Sequence, residues 1–541
     1  MEKRYKKMIR QNSLKLIIVT TLCALIITVA EFISPIIVKD FIDNFEARKE
    51  HITISISIIV FVFIASYLLK ILGNSITNHY AIKFKTAETL HLYKIMFQMK
   101  YSELVSKEPT YIVEKINNSV NTLFVFFSEA ISTYVISTIS VLISILFVYQ
   151  VDFFITCLFL VLIPLQLIGY KILNTKLNKK CKTLQTVCAK GFKDILSVTS
   201  SIEYYKQSPK ISNVLNLLKP FVTSIISENV SVNKFAGFVS ITLSDITNII
   251  NNCIYIVASV YMITNRITLS ELIFVNMILT IYIPAIRRLI NANINIRDLD
   301  GVYDFIENEM LAHIEEEGKK DLKEVNVIEG NIEPFYYNEK EVLKGGSFYV
   351  EKGDIVFLSG MSGSGKTTLV KGLVKFHLIS NIKINGVNIE QYSNESVRNK
   401  ISFYSQNIPI ITGTIRDNIR MGAEGNEAEL DKLREKSFMK KFFALEKGLD
   451  TVILENGANL SGGDKQKIAL ARLYLEHPDV IILDESTSSL DKETAYEIMN
   501  DIIENYKDKI IFIISHDKDI IKYTNKMIEI DNGYIQSRVI K

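Results

Sequence analysis

The sequence predicts an α-helical transmembrane bundle of six spans with long cytoplasmic helical extensions, followed by an α/β phosphate-loop (P-loop) domain. Three observations carry that expectation. Six long apolar stretches fill the first 290 residues. Composition turns polar over 291–323, where His313-Ile-Glu-Glu-Glu-Gly-Lys-Lys reads as a solvated linker. Beyond it, Gly360-Met-Ser-Gly-Ser-Gly-Lys-Thr-Thr stands between an apolar run and Leu369-Val-Lys-Gly-Leu-Val, the order strand, loop, helix. At 541 residues the chain is too long for one compact domain. The expected division is 1–320 for the membrane domain with its linker and 321–541 for the second domain.

Bulk composition narrows the function. A hydrophobic fraction of 48% exceeds what a soluble domain needs. Net charge of +3 implies no nucleic-acid partner. The five cysteines, Cys23, Cys157, Cys181, Cys188 and Cys253, show no C-x-x-C spacing, and four lie in or near apolar runs, so they read as reduced, packed thiols. With no tryptophan, an interfacial aromatic belt must use Tyr and Phe.

The first fifteen residues hold Lys3, Arg4, Lys6, Lys7, Arg10 and Lys15 against Glu2. The apolar run 16–38 follows. It is longer than a signal-peptide core and long enough to cross a bilayer, and its basic flank favours a cytoplasmic N-terminus. Further spans are expected near 52–72, 122–149, 153–173, 235–263 and 267–290. The connections 149–152 and 264–266 are short enough for tight external hairpins, and 40–50 forms the first external loop. The connections 74–121 and 174–234 are long and rich in Lys and Glu. They read as spans continuing into the cytoplasm, with turns near Pro109 and Pro209.

In the second half, the glycines of 360–368 let several backbone N–H groups face phosphate oxygens, and the following helix adds the positive end of its dipole. Lys366 supplies a cation for the β- and γ-phosphates, and Thr367 a hydroxyl for Mg²⁺. Val480-Ile-Ile-Leu-Asp484-Glu485 is a buried strand ending in two acids, at the strand end where open α/β sheets bind ligands. Asp484 suits Mg²⁺ held through water, and Glu485 suits polarising an attacking water. Between them lies Asn459-Leu-Ser461-Gly462-Gly463-Asp464-Lys-Gln.

Together these pieces resemble the ATP-binding cassette family. Phe335-Tyr-Tyr337 resembles its adenine-stacking aromatic, Phe403-Tyr-Ser-Gln406 its glutamine loop, and Gly413-Thr-Ile-Arg-Asp-Asn-Ile the exporter form of the next segment. Glu455-Asn-Gly457 resembles the loop that contacts transmembrane partners. Ser488-Ser-Leu-Asp491 is similar to the aspartate loop, and Ser515-His516 to the switch histidine. The resemblance implies an ATPase domain with a helical subdomain, using ATP and Mg²⁺. Under it Tyr337 stacks on adenine, while Gly360, Ser362, Gly363, Ser364, Gly365, Lys366, Thr367 and Thr368 cradle phosphate. Ser461, Gly462 and Gly463 face the γ-phosphate of ATP held by a second copy, and Asp491 joins the nucleotide-binding set. Thr367, Gln406 and Asp484 attend Mg²⁺, and Glu485, Gln406 and His516 are catalytic. Asp464 departs from the family's usual Gln, and Ser489 from its common Ala.

Six spans ahead of one cassette resemble an exporter half-transporter. The resemblance makes the turns near Pro109 and Pro209 coupling helices, and requires a dimer of twelve spans. The complete catalytic set favours a homodimer, with a heterodimer as the alternative. The chain opens directly before the first span, so no leader peptidase domain is expected. The implied function is ATP-driven export of a peptide, drug-like amphiphile or lipid across a bacterial cytoplasmic membrane, in contact with membrane lipid and with the cassette in the cytoplasm. A soluble chromosome-organising ATPase is disfavoured by the spans. A non-transporting ATP-switched membrane regulator is disfavoured by Glu485 and His516. Richness in Ile, Lys and Asn suggests an AT-rich bacterial genome.

Polar residues within the spans are the substrate clues. Thr242, Asp245, Asn248 and Asn252 share one face of the fifth span, and Glu31 sits in the first. Acids at membrane depth face protein or water. The expectation is that this face lines the transport path and meets a cationic or amphipathic substrate, while Tyr282, Arg287 and Arg288 snorkel towards an interface.

Overall fold

A computed structural model describes residues 2–45, 52–107, 109–199, 205–207, 211–337, 340–406, 408–421 and 427–540. The chain forms two compact units, one of residues 1–97 with 109–312, the other of residues 98–108 with 313–541.

The first unit is helical throughout its described residues. Its long helices run Glu2–Asp43, Ile52–Phe97, Pro109–Val125 continued through a π-turn at Phe126–Ala130 into Ile131–Tyr149, Phe153–Thr199, Ile211–Ile263, and Leu269–Asp304. At about 1.5 Å per residue the helices of 46, 47 and 53 residues each exceed the ~30 Å apolar thickness of a bilayer about twofold, so their ends extend well past it. Among the described residues, five helices are long and apolar enough to cross a membrane, and a further apolar stretch, Phe153–Ile168, is shorter. Two connections are tight. Asp152 accepts the backbone N–H groups of Phe154 and Ile155 at 2.8 and 3.0 Å, starting the helix that follows Tyr149. Thr268 and Glu271 form a capping box at the start of Leu269–Asp304.

Two expectations for this unit change. Tyr282 is fully buried and its hydroxyl donates to the Phe159 carbonyl at 2.7 Å, so it anchors the bundle core rather than snorkelling. Glu31 is paired with Lys70 at 2.8 Å across the first two helices, which meets the cost of an acid among apolar spans without a substrate. The turn expected near Pro109 is present: Lys107 lies in a turn and Pro109 opens the next helix, a first position that needs no N–H, which proline lacks. Pro209 lies outside the described residues. On the fifth helix, Asp245, Asn248 and Asn252 are exposed, while the neighbouring Thr247 is buried and takes a 2.7 Å hydrogen bond from Gln166.

The second unit is built on a ten-stranded sheet of the described residues. Its parallel part runs, in spatial order, Ile401–Tyr404, Val480–Asp484, Ile510–Ile514, Ile355–Ser359 and Lys526–Asp531. Tyr534–Val539 turns back on the last of these, and Gly345–Glu351, Val327–Ile332, Ile382–Ile384 and Val387–Asn388 complete the sheet. The central strands are apolar at nearly every position because both faces are covered. Val480 and Ile482 enter one core with Val356, Leu358 and Phe512; Ile481 and Leu483 enter the other with Ile511 and Ile513. The second core is shared with the helical subdomain through Leu430, Leu433, Phe438, Phe442 and the helix Gly462–Glu476.

Residues 98–108 carry a short helix, Tyr101–Ser106, within the second unit. Met99 bridges Ile314, and Tyr101 stacks on Phe376 with centroids 4.8 Å apart and planes 11° from parallel.

Candidate nucleotide site

Four neighbouring strands deliver their carboxyl ends to one cleft of about 1280 Å³. Leu483 pairs in register with Tyr404, and Asp484 with Ile514. Gln406, Glu485 and His516, which lie just past these pairs, are therefore brought to one rim.

Ile355–Ser359 runs into the loop 360–365 and the helix Lys366–Leu373. Gly365 caps that helix at φ 109° with no side chain on its N–H groups. A Cβ there would come within 2.7 Å of Leu343. At Gly360, φ 150°, it would meet the Ile530 carbonyl at 2.4 Å. Both positions demand glycine. Lys366 Nζ donates to the Gly360 and Met361 carbonyls at 2.8 and 2.9 Å, bent over its own loop. Ser364 Oγ is buried without a hydrogen-bond partner. Uncapped helix amides, a lysine and an orphan hydroxyl form a donor set suited to phosphate. Ser362, Gly363 and Thr368 line the same cleft.

Thr367 Oγ1 donates to Asp484 Oδ2 at 3.0 Å. Burial raises the Asp484 carboxyl above its usual range, partly countered by the Thr367 hydrogen bond. A hydroxyl and a carboxylate oxygen in contact are hard-oxygen donors of the kind Mg²⁺ takes. Glu485 lies one residue further, at φ 51°. Its carboxylate accepts Gln406 Nε2 at 2.8 Å and lies 3.0 Å from His516 Nε2.

The remaining expected residues are elsewhere. Tyr337 packs edge-on to His377, centroids 5.3 Å apart, on the strand Phe335–Tyr337. Ser461, Gly462 and Gly463 do not line the cleft. Ser461 caps the helix Gly462–Glu476 in a reciprocal box with Asp464. A Cβ on Gly462 would come within 3.2 Å of the Ser489 side chain, and one on Gly463 within 3.2 Å of the Leu490 side chain and of the Ser489 carbonyl, so the signature packs closely on the aspartate loop. Asp491 caps Lys492–Asn505, accepting Thr494 N–H at 2.9 Å.

Two residues escaped the sequence reading. Gln466, buried, accepts the Ser489 N–H at 2.9 Å and donates to Ser488 at 3.3 Å, tying the two loops together. Lys441 holds Asp464 through both carboxylate oxygens. The signal for Lys441 was Asp464 itself, since a buried acid needs a cation; which lysine supplies it is a tertiary fact.

The same chain matches known families along most of its length. Residues 17–286 match the ABC transporter transmembrane region, and residues 343–488 the ABC transporter family. An ATP-dependent lipid A-core flippase of Photorhabdus laumondii is 36% identical over 234 residues, covering 41% of this chain and 40% of that protein. The alignment thus spans less than half of the flippase. The transport/processing ATP-binding protein ComA of Streptococcus pneumoniae is 26% identical over 544 residues, covering 95% of this chain and 73% of that one. A bacterial Atm1-family ABC exporter with ATP bound shares the fold, with a TM-score of 0.81 at 18% identity over 98% of this chain and 95% of the other. Adjacent matches to a transporter transmembrane region and to an ABC transporter ATP-binding domain put both parts of an ABC transporter on one multi-pass chain. The chain belongs to the ABC transporter family, with its transmembrane region fused ahead of its ATP-binding domain in the fold of an ABC exporter.

Proposed function

We propose that the chain works as a homodimer that hydrolyses ATP at two shared sites and exports a peptide, an amphiphile or a lipid. Six helices cross the cytoplasmic membrane, with the N-terminus and the ATP-binding domain in the cytoplasm. Glu485 is the general base. The observation that carries this role is its carboxylate, held between Gln406 and His516 at the end of Val480–Asp484. There it can take the proton of a water that Gln406 orients, while His516 steadies its second oxygen and reaches towards the γ-phosphate. Lys366, Ser364 and the loop amides hold phosphate, and Tyr337 meets the adenine. Thr367, Asp484 and Gln406 hold Mg²⁺, which when bound offsets phosphate charge. Ser461, Gly462 and Gly463 serve the partner copy's nucleotide, with Asp491 beside them. Among the relatives, an ATP-dependent lipid A-core flippase supports a lipid substrate, and a transport/processing ATP-binding protein supports transport more generally.

Inverted vesicles containing the wild type should take up labelled peptide or lipid when given ATP. Glu485→Gln should bind ATP with near-normal affinity while phosphate release and uptake fall about a hundredfold or more, the scale of losing a general base. Phosphate release by Glu485→Gln near the wild-type rate would exclude Glu485 as the base.

A further inference from the structure

We propose that Lys441 is a positioning residue of the ATP site: by holding the Asp464 carboxylate, it leaves the Ser461 hydroxyl free to donate to the γ-phosphate carried by the partner copy. The inference rests on the two-copy reading above.

Ser461 has one hydroxyl proton. It points at Asp464 Oδ2, 2.7 Å away, while the same hydroxyl accepts Asp464 N–H at 3.1 Å. The neutral glutamine usual at this position would not compete so strongly for that proton, because ionised acceptors draw a donor more tightly than neutral ones. A phosphate oxygen bonded to Ser461 would also lie about 5 Å from the carboxylate, two hydrogen-bond lengths end to end, so the acid would repel the ligand its own helix serves. Asp464 is only 8% exposed, which weakens screening by water.

Lys441 answers both problems. Its Nζ lies 2.9 and 3.0 Å from the two Asp464 oxygens. Burial alone would raise the Asp464 carboxyl. Hydrogen bonds from Lys441 and Ser461, with the lysine charge, outweigh it and hold the group below the usual carboxylate range. Phe442, buried in the core, anchors the short helix Lys440–Phe443 that carries the lysine; the Lys441 side chain is itself 61% exposed, so the bond to Asp464 is held by its two-oxygen geometry rather than by burial of the ammonium. With the carboxylate satisfied by the ammonium, turning the Ser461 proton towards phosphate costs little. Without the ammonium, Asp464 retains the proton and presents an unbalanced charge.

The test uses the full chain in lipid nanodiscs, with ATP hydrolysis, binding of a fluorescent ATP analogue and melting temperature measured together. Lys441→Ala should lower kcat/KM for ATP about ten- to a hundredfold, the range for one charge-assisted hydrogen bond, while analogue binding at the chain's own phosphate loop stays within about twofold. Lys441→Arg should retain activity. Adding Asp464→Gln to Lys441→Ala should restore kcat/KM to within about threefold of the wild type, because the charge needing an answer is gone. Lys441→Gln, closer in shape, repeats the test if the alanine variant folds poorly. Unchanged kcat/KM in Lys441→Ala and Lys441→Gln alike overturns the inference. So does a loss that tracks melting temperature and is not reversed by Asp464→Gln. If the wild type itself hydrolyses no ATP, or its copies fail to cross-link as described below, the two-copy reading falls instead.

Discussion

Asp484 and Glu485 are adjacent acids with opposite surroundings. Asp484 closes a buried strand and is bound by Thr367. Glu485 leaves the sheet in the left-handed region, a conformation that costs a residue with a Cβ on the order of 1 kcal/mol, and this turns its carboxylate to the open rim beside His516. His377 shows a different consequence of burial. It lies among the rings of Tyr101, Phe335 and Tyr337, and burial, then the charge of Lys371, push it down to about 4 from the usual 6.5. A histidine depressed in the folded state contributes stability that is fully present above 6.5 and lost as pH falls towards 4, since the unfolded chain binds the proton more readily. At pH 5 the loss is about 2 kcal/mol by linkage. His377→Phe lacks this term. Its melting temperature, compared with the wild type, should therefore improve between pH 7.5 and pH 5, whatever the offset at pH 7.5. An offset that does not change with pH would remove His377 from the account of acid sensitivity.

At the scale of elements, the short helix Tyr101–Ser106 joins two long helices of the first unit by chain connection and packs on the phosphate-loop helix of the second. Lys371, on the helix Lys366–Leu373, donates to the Tyr101 hydroxyl at 3.2 Å and lies 5.0 Å from the centre of its ring. Tyr101→Ala removes the stack on Phe376 and this anchor together. Substrate transported per ATP hydrolysed should fall severalfold, as expected when an element linking two functions loses an anchor worth about 1–2 kcal/mol. Equal coupling ratios in wild type and variant would show that this helix transmits nothing. The element was legible only in part. A long Lys- and Glu-rich connection announced helices with a turn near Pro109, but the stack of Tyr101 on Phe376, a residue far along the chain, left no local signal. The central strands were legible because burial on both faces leaves unbroken apolar runs, and the phosphate loop because glycine, lysine and threonine stand at fixed offsets. Tyr282 and the Glu31–Lys70 pair were not legible. Each depends on a partner far along the chain, and periodicity within one helix does not name it.

At the scale of the whole molecule, the cleft of one chain gathers the phosphate loop, Asp484, Glu485, Gln406 and His516, and Ser461 is not among its lining residues. One chain carries one copy of each motif. If the signature acts on nucleotide, it acts on nucleotide held by another chain, and the two sites of a homodimer follow by symmetry. Helix starts bearing serine and glycine amides are anion sites, so ATP should draw the two cassettes together and ADP should release them. The cysteines help here. All five precede residue 254, leaving the second unit free of background thiols. Met361, at the exposed tip of the phosphate loop, and Ser461 each suit replacement. In a Glu485→Gln background, Met361→Cys with Ser461→Cys on the same chain should give a disulfide-linked dimer with ATP and little with ADP or without nucleotide. Each single-cysteine variant should give none of that species. Mixing chains that carry one replacement each should yield cross-links between unlike copies, which a contact within one chain cannot produce. ATP-independent linkage, or linkage confined to single chains, would rule out the shared-site dimer and leave the signature without a nucleotide to serve.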